Sequence, residues 1–199
     1  MRRIIAFNNV SADGYFAAPD GNLNWTTPDS EIQETAAGAV DPNGNFTILF
    51  GRRTYEQFEA FWPSVVTEST TAPDPHRPGV DSPEIRGIAE KLNNAVKIVF
   101  SKTRRDVTWK NSRIARDIDP DEIKRLKEQP GEDIMIFGSG TVTSQLTNHR
   151  LIDEYQFVVN PILLGDGLSL IRNATPQKLK LIEGKPLKSG NVMLRYSLA

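Results

Sequence analysis

The chain has 199 residues, enough for one substantial core and short for two ordinary domains. Its 38% hydrophobic and 25% charged content is that of a globular protein, and a formal charge of −1 gives no global case for nucleic-acid binding. With no cysteine, disulfides, thiolate metal sites and cysteine nucleophiles are excluded, and His76 and His149 are too far apart in sequence to suggest a metal pair.

In chain order, "RIIAFNNV" reads as a first strand. Its apolar run is too short for a signal-peptide core or for the ~20 residues of a membrane span, so a cytoplasmic protein is expected. "SADGYFAAPDGNLNW" follows as a loop, and "DSEIQETAAGA" reads as a helix with Asp29 or Ser30 at its N-cap. The strand "FTILFG" leads into the helix "RTYEQFEAFW". Val66 to Pro83, with prolines at 73, 75, 78 and 83, reads as a long surface loop, either a tolerated insertion or a lid. Next come the helix "SPEIRGIAEKLN", the strand "AVKIVFS", the helix "DPDEIKRLKEQP", the strand "EDIMIFG" and the helix "GTVTSQLTNHR". The chain closes on "DEYQFVVN", "LKLIEG" and "VMLRYSL", strands with no helix between them. Alternation followed by consecutive strands predicts one α/β domain over 1–199, a mostly parallel sheet covered by helices with antiparallel strands at one edge.

Three of these strands end alike. "TILFGRRTYE", "KIVFSKTRR" and "MIFGSGTVT" each run through Phe into Gly or Ser and then reach hydroxyl or basic residues. In a parallel sheet such ends share the edge where ligands bind, and helix N-termini there favour anions. Gly138-Ser139-Gly140 taken alone is an ordinary turn, and arginine at a helix start opposes the helix dipole. An anion held at the same spot would offset the charge of Arg52 and Arg53. No Walker pattern and no Gly-x-Gly-x-x-Gly run after the first strand are present. The spread of candidates over several strands suits a dinucleotide, and the cations Arg52, Arg53 and Lys102, with Arg104 and Arg105 behind, favour NADPH over NADH.

These strand ends resemble the dihydrofolate reductase-like superfamily, and within it the reductase C-terminal domain of bacterial riboflavin biosynthesis. "SADGYFAAPDGNLNW" is similar to that branch's first loop, "FGRRTYE" to the Gly-Arg-x-Thr element and "VFSKT" to the Ser-plus-basic element. "FGSGTVTSQL" is similar to the glycine-rich cofactor turn, and "LIDEYQFVVNPILLGDGLSL" carries the branch's Asp-Glu, strand, Pro and Leu-Gly-x-Gly. The resemblance implies a three-layer mixed sheet with helices on both faces. It also implies an NADPH-dependent reductase of a small pteridine- or pyrimidine-like heterocycle, and a homodimer built on the C-terminal strands. By the same resemblance, Gly51, Arg52, Arg53 and Thr54 hold phosphates and Ser101 and Lys102 meet the 2′-phosphate. Gly138, Ser139, Gly140 and Thr141 wrap the pyrophosphate, and Gln145 lies beside the adenine end. Folate reductases join successive glycines at this turn by a cis peptide, whereas Ser139 takes the second place here.

For chemistry, the resemblance points to a carboxylate after the first Trp. "WTTPDSEI" offers Asp29, one residue earlier than the family spacing, and Asp29 is equally a helix cap. Asp13 in "SADG" is the rival, and Tyr15, Phe16 and Trp25 are candidate aromatic walls. Asp166 in "LGDG" is a candidate substrate contact. A non-catalytic dinucleotide-binding sensor or scaffold is the alternative function.

Overall fold

The computed structural model describes residues 1–27, 29, 31–32, 46–65 and 83–199. Among the described residues the strands are β1 (Ile4–Ser11), β2 (Tyr15–Ala17), β3 (Thr47–Gly51), β4 (Val96–Phe100), β5 (Ser112–Ala115), β6 (Ile134–Phe137), β7 (Glu154–Asn160), β8 (Leu168–Ser169), β9 (Leu179–Pro186) and β10 (Val192–Leu198). Four helices with both ends among the described residues follow the sequence expectation closely: α1 (Arg52–Val65), α2 (Pro83–Asn94), α3 (Pro120–Glu128) and α4 (Gly140–Asn148). Most of the helix predicted from Asp29 and nearly all of the 66–83 loop lie outside the described residues.

Eight strands form one sheet in the order β5-β4-β3-β6-β1-β7-β10-β9, and β2 pairs with β8 in a separate ribbon. The pairs from β5 through β7 are all parallel, while β10 and β9 run antiparallel at one side. The three-layer architecture anticipated from the sequence is therefore the one found. One detail differs: β7, read together with the closing strands, pairs parallel with β1.

The central strands are continuous apolar runs because both faces are covered. Ile5 and Phe7 of β1 pack with Tyr55 of α1 and Leu92 of α2, whereas Ile4 and Ala6 pack with Ile123 of α3 and with Val142 and Leu146 of α4. Adjacent residues of a strand point to opposite faces, so one short run serves two cores. The strands missed in the sequence, β2, β5 and β8, span three, four and two residues, too short to display a period.

"AVKIVFS" conceals a fully buried lysine. The Lys97 ammonium donates to the carbonyls of Asn93, Ala95 and Lys110 at 2.9, 3.0 and 3.1 Å and lies 4.2 Å from the centre of the Trp109 ring. Burial pushes its pKa down to about 7, while the three carbonyls and the indole face favour the charged form. The contacts tie the end of α2 to the segment entering β5.

Candidate functional site

At the carboxyl edge of the sheet, β4, β3 and β6 are consecutive parallel neighbours. Their ends, Phe100-Ser101, Gly51 and Phe137-Gly138, open into one cleft of about 1570 Å³. The coincidence inferred from three similar strand ends is thus a spatial one.

The turn after β6 is unusual. Gly138 and Ser139 both have positive φ, 60° and 56°, and no peptide bond among the described residues is cis. Glycine adopts that backbone readily, but a serine is strained there. The strain is offset by the Ser139 hydroxyl, which accepts from the Gly51 amide at 2.7 Å and donates to Thr54 Oγ1 at 3.0 Å. One side chain thereby binds the turn to the end of β3 and the start of α1. As a result Ser139, at the N-cap of α4, makes no side-chain cap bond, and no acid stands in the first turn of that helix. Gly140, Thr141 and Val142 present this turn to the cleft. Its free amides and the positive end of the helix dipole are complementary to an anion.

Cations surround this mouth. Arg53 and Lys102 are exposed on the cleft wall, and the Lys102 ammonium is 2.7 Å from Asp117, with side-chain exposures of 76% and 68%. A pair that exposed holds the lysine only weakly. Arg116 is a further lining cation, whose guanidinium donates to the Lys102 carbonyl at 2.7 Å. It escaped notice because it follows β5. Arg52 lines the cleft but also pairs with Glu56 at 3.1 Å, one helical turn along. Ser101 is buried, and its hydroxyl accepts from the amides of Thr103 and Arg104 at 3.3 and 2.9 Å, so it first of all shapes the turn. Gln145 is exposed at the rim, four residues along α4 from Thr141.

Arg104 is not free to meet a ligand. It pairs with Glu59 at 2.5 Å, donates to the Asp106 carbonyl at 2.7 Å and covers the Tyr55 ring. Burial works to raise the Glu59 carboxyl, but hydrogen bonds from Thr108 and Tyr55 and the charge of Arg104 prevail and hold it at about 2. This group joins α1 to the segment before β5.

Deeper in the same cleft the wall is aromatic. Phe137 stacks on Phe58 with centroids 6.0 Å apart and meets Phe7 edge-on at 6.1 Å, and Trp62 stands beside Phe58. Of the three aromatic residues expected as walls, Phe16 lines the cleft. Tyr15 and Trp25 do not, and the Trp25 indole donates to the Asn22 carbonyl at 3.2 Å. Phe58 and Trp62, spaced i and i+4 on a helix, were the legible signal for the wall that exists.

The two candidate acids are both engaged. Asp13 accepts from Ser11 Oγ at 2.6 Å and from the amides of Leu164 and Gly165 at 3.1 and 2.8 Å, which fastens the first loop to the "LGDG" loop. The Ser11 and Gly165 hydrogen bonds hold its carboxyl below the usual range. Asp13 thus fastens two loops and is not among the residues that line the cleft. Asp166 accepts from the next amide, Gly167, at 2.7 Å and is likewise outside the cleft lining. Asp29 does line the cleft and is 8% exposed, with Oδ1 accepting from the amides of Glu31 and Ile32 at 2.7 and 3.3 Å. Burial acts to raise its pKa, but hydrogen bonds from Ser189 and those two amides outweigh it and keep it low. That is the geometry of a helix cap.

Glycine at 140 is also required by the packing of the chain itself. A Cβ there would lie 2.9 Å from the Phe16 ring and 3.3 Å from the Leu170 carbonyl. The first loop closes onto the start of α4 at the point where the helix has no side chain.

Among the described residues no helix is long and apolar enough to cross a membrane, and no cluster of acids and histidines is placed to hold a metal ion.

Comparison with known proteins fits this geometry. The uncharacterized protein YyaP of Bacillus subtilis is 25% identical over 198 residues, which covers 98% of this chain and 95% of that protein. Dihydrofolate reductase from Enterococcus faecalis, solved with NADP(H), superposes with a TM-score of 0.60 at 13% identity, covering 98% of this chain and 96% of that one. The Thermotoga maritima diaminohydroxyphosphoribosylaminopyrimidine deaminase/5-amino-6-(5-phosphoribosylamino)uracil reductase superposes with a TM-score of 0.63 at 18% identity. That match covers all of this chain and 57% of the larger protein. The model of the RibD C-terminal domain matches residues 2–194. That model spans nearly the whole chain, and the chain belongs to the RibD C-terminal domain family.

Proposed function

We propose that this chain is an NADPH-dependent reductase acting on a small pteridine- or pyrimidine-like heterocycle, of the kind reduced by 5-amino-6-(5-phosphoribosylamino)uracil reductase or dihydrofolate reductase. The observation that carries the reading is that the uncapped first turn of α4 and an aromatic compartment belong to one cleft. A nucleotide cofactor needs the first feature and a planar substrate the second.

The residues fit the cofactor. The amides of Gly140 to Val142 would take the pyrophosphate, with Thr54, which accepts from Ser139 and keeps its own hydroxyl proton to donate. Arg53, Lys102 and Arg116 would take the 2′-phosphate, and Gln145 would lie towards the adenine. When bound, NADPH supplies a hydride. Phe7, Phe58, Trp62 and Phe137 would hold the heterocycle flat and exclude water. Asp29 Oδ1 already accepts from the amides of Glu31 and Ile32, and the proton would come from solvent. A homodimer is part of the proposal. β9 is an exposed edge strand whose Leu181 and Ile182 are 53% and 50% exposed, and a bare apolar edge invites a second copy.

The experiment is a screen of NADPH oxidation against dihydropterins and aminouracil nucleotides, with cofactor binding measured in parallel. Turnover of any of these heterocycles supports the reading. Tight NADPH binding with no oxidation by the whole panel would favour the sensor or scaffold instead.

A further inference from the structure

Asn8 has no role in the reading so far, yet its surroundings call for one. It is 2% exposed, and neither its Oδ1 nor its Nδ2 has a hydrogen-bond partner among the described residues. Other buried asparagines nearby make bonds from the side-chain amide. Asn160 donates to the Val158 carbonyl at 3.0 Å, and Asn191, whose Oδ1 is also unpaired, donates to the Thr27 carbonyl at 3.0 Å. A buried carboxamide with both ends unpaired is destabilising and calls for a partner.

The place of Asn8 indicates which partner. β1 pairs with β6 only as far as Phe7, but with β7 as far as Ser11. The ladder with β6 ends where the Gly138 amide donates to the Phe7 carbonyl at 3.1 Å, and the next residue, Asn8, lines the cleft. Strand alternation puts it on the face of Ile4 and Ala6, the face packed by Val142 and Leu146 of α4. A cofactor whose pyrophosphate lies at the first turn of α4 would bring its nicotinamide end towards this wall.

We propose that Asn8 is a positioning residue for the reaction, pairing through its carboxamide with the carboxamide of the nicotinamide ring. This rests on the NADPH reading above. Two primary amides match donor to acceptor in both directions, so a single contact would satisfy both orphaned atoms and fix which way round the ring sits. The orphaned pair is then the cost of a site shaped in advance for one substituent of the ligand.

The test uses three ligands. NADPH carries the amide, its 3-acetylpyridine analogue has a methyl ketone in its place, and 2′-phospho-ADP-ribose lacks the ring altogether. Each is titrated calorimetrically into wild type, Asn8→Leu and Asn8→Ala, with apo melting temperatures measured alongside. Wild type should bind NADPH about tenfold more tightly than the analogue, and both variants should lose that discrimination. Affinity for 2′-phospho-ADP-ribose should not change in either variant. Apo Asn8→Leu should melt about 2–4 °C higher, since it removes two unpaired polar atoms at similar volume. If Asn8→Leu fails to fold, Asn8→Ala decides through the same discrimination. Variants that still discriminate, or that lose NADPH and 2′-phospho-ADP-ribose equally, overturn the role of Asn8. Wild type that fails to bind 2′-phospho-ADP-ribose overturns the cofactor reading itself, and the role of Asn8 with it.

Discussion

At the start of α3, Asp119 accepts the Asp121 amide at 2.9 Å, Pro120 removes one donor, and Asp121 and Glu122 place negative charge in the first turn. At the start of α4, Ser139 makes no cap bond, the first turn carries no acid, and the cleft it faces is lined by Arg53, Lys102, Arg116 and Arg172 along with Glu56 and Asp117. Both helices are nine residues long and both pack on the same face of the sheet. One end is completed by the chain, and the other leaves its donors and its dipole to something else. The difference teaches where to look for an anion: at the helix end whose ordinary stabilisation has been withheld.

The sharpest way to break this contrast is to make α4 resemble α3. Thr141 is exposed in the first turn, and Thr141→Asp would place there the charge that α3 already has. The apo protein should gain roughly 0.3–1 kcal/mol from the helix dipole. NADPH binding should fall by about 3 kcal/mol, or more than a hundredfold, because a carboxylate and a pyrophosphate would compete for the same amides. Thermal melting and cofactor titration of the one variant report both halves. Unchanged NADPH affinity would return α4 to the status of an ordinary uncapped helix.

The next effect in size concerns the cations. Lys102→Ala should weaken NADPH by ~1.5–3 kcal/mol and leave NADH nearly unchanged, so the ratio of the two affinities is the quantity to follow. Asp117→Asn should act in the opposite sense and more weakly, by releasing Lys102 from an exposed pair.

At α3 the expectation reverses. Asp119→Ala should cost about 1 kcal/mol of stability, or ~2–4 °C in melting temperature, with no change in cofactor affinity. A loss of NADPH binding on this substitution would show that the two helix ends are not independent.

A smaller effect is confined to low pH. Glu59 is held at about 2 against an ordinary 4.5, so its contribution to stability is complete above pH 4.5 and is lost as pH falls towards 2. Glu59→Gln should be less stable at neutral pH and show a flatter decline over that window. Denaturant melts at pH 7, 4 and 3 would detect it, and parallel curves for both proteins would count against the Arg104–Glu59 tie.

The smallest expected change is at Asp29. Because Asn caps about as well as Asp, Asp29→Asn should leave turnover within a small factor of wild type at every pH. A fall of about 10²–10⁴-fold with NADPH affinity intact would instead make Asp29 the proton donor.

The sequence carried the large features of this molecule well, because each has a long-range signature. Continuous apolar runs mark the buried parallel strands, the change from alternation to consecutive strands marks the antiparallel side, and repeated Phe-Gly/Ser endings mark the site edge. The features it hid are those decided by geometry across distant segments. Arg116 joins the cationic edge through a four-residue strand that shows no period. Arg104, as basic as its neighbours in "SKTRR", is withdrawn by Glu59, 45 positions away. Ser139 in "GSGT" has a φ of 56°, which turns its hydroxyl to Gly51, and nothing in the sequence announces that bond. Gly140 invites a ligand explanation that the Phe16 ring already satisfies in part. Asn8 gave no sign at all within "RIIAFNNV", since only burial and the absence of a partner distinguish it from Asn9.

The most direct test of the central claim is a side-by-side calorimetric titration of the wild-type protein with NADPH and with NADH. If the open end of α4 takes a pyrophosphate and the neighbouring cations take a 2′-phosphate, both cofactors should bind, with NADPH tighter by about tenfold or more. Equal affinities would contradict the role given to Arg53, Lys102 and Arg116, and no binding of either cofactor would contradict the account as a whole.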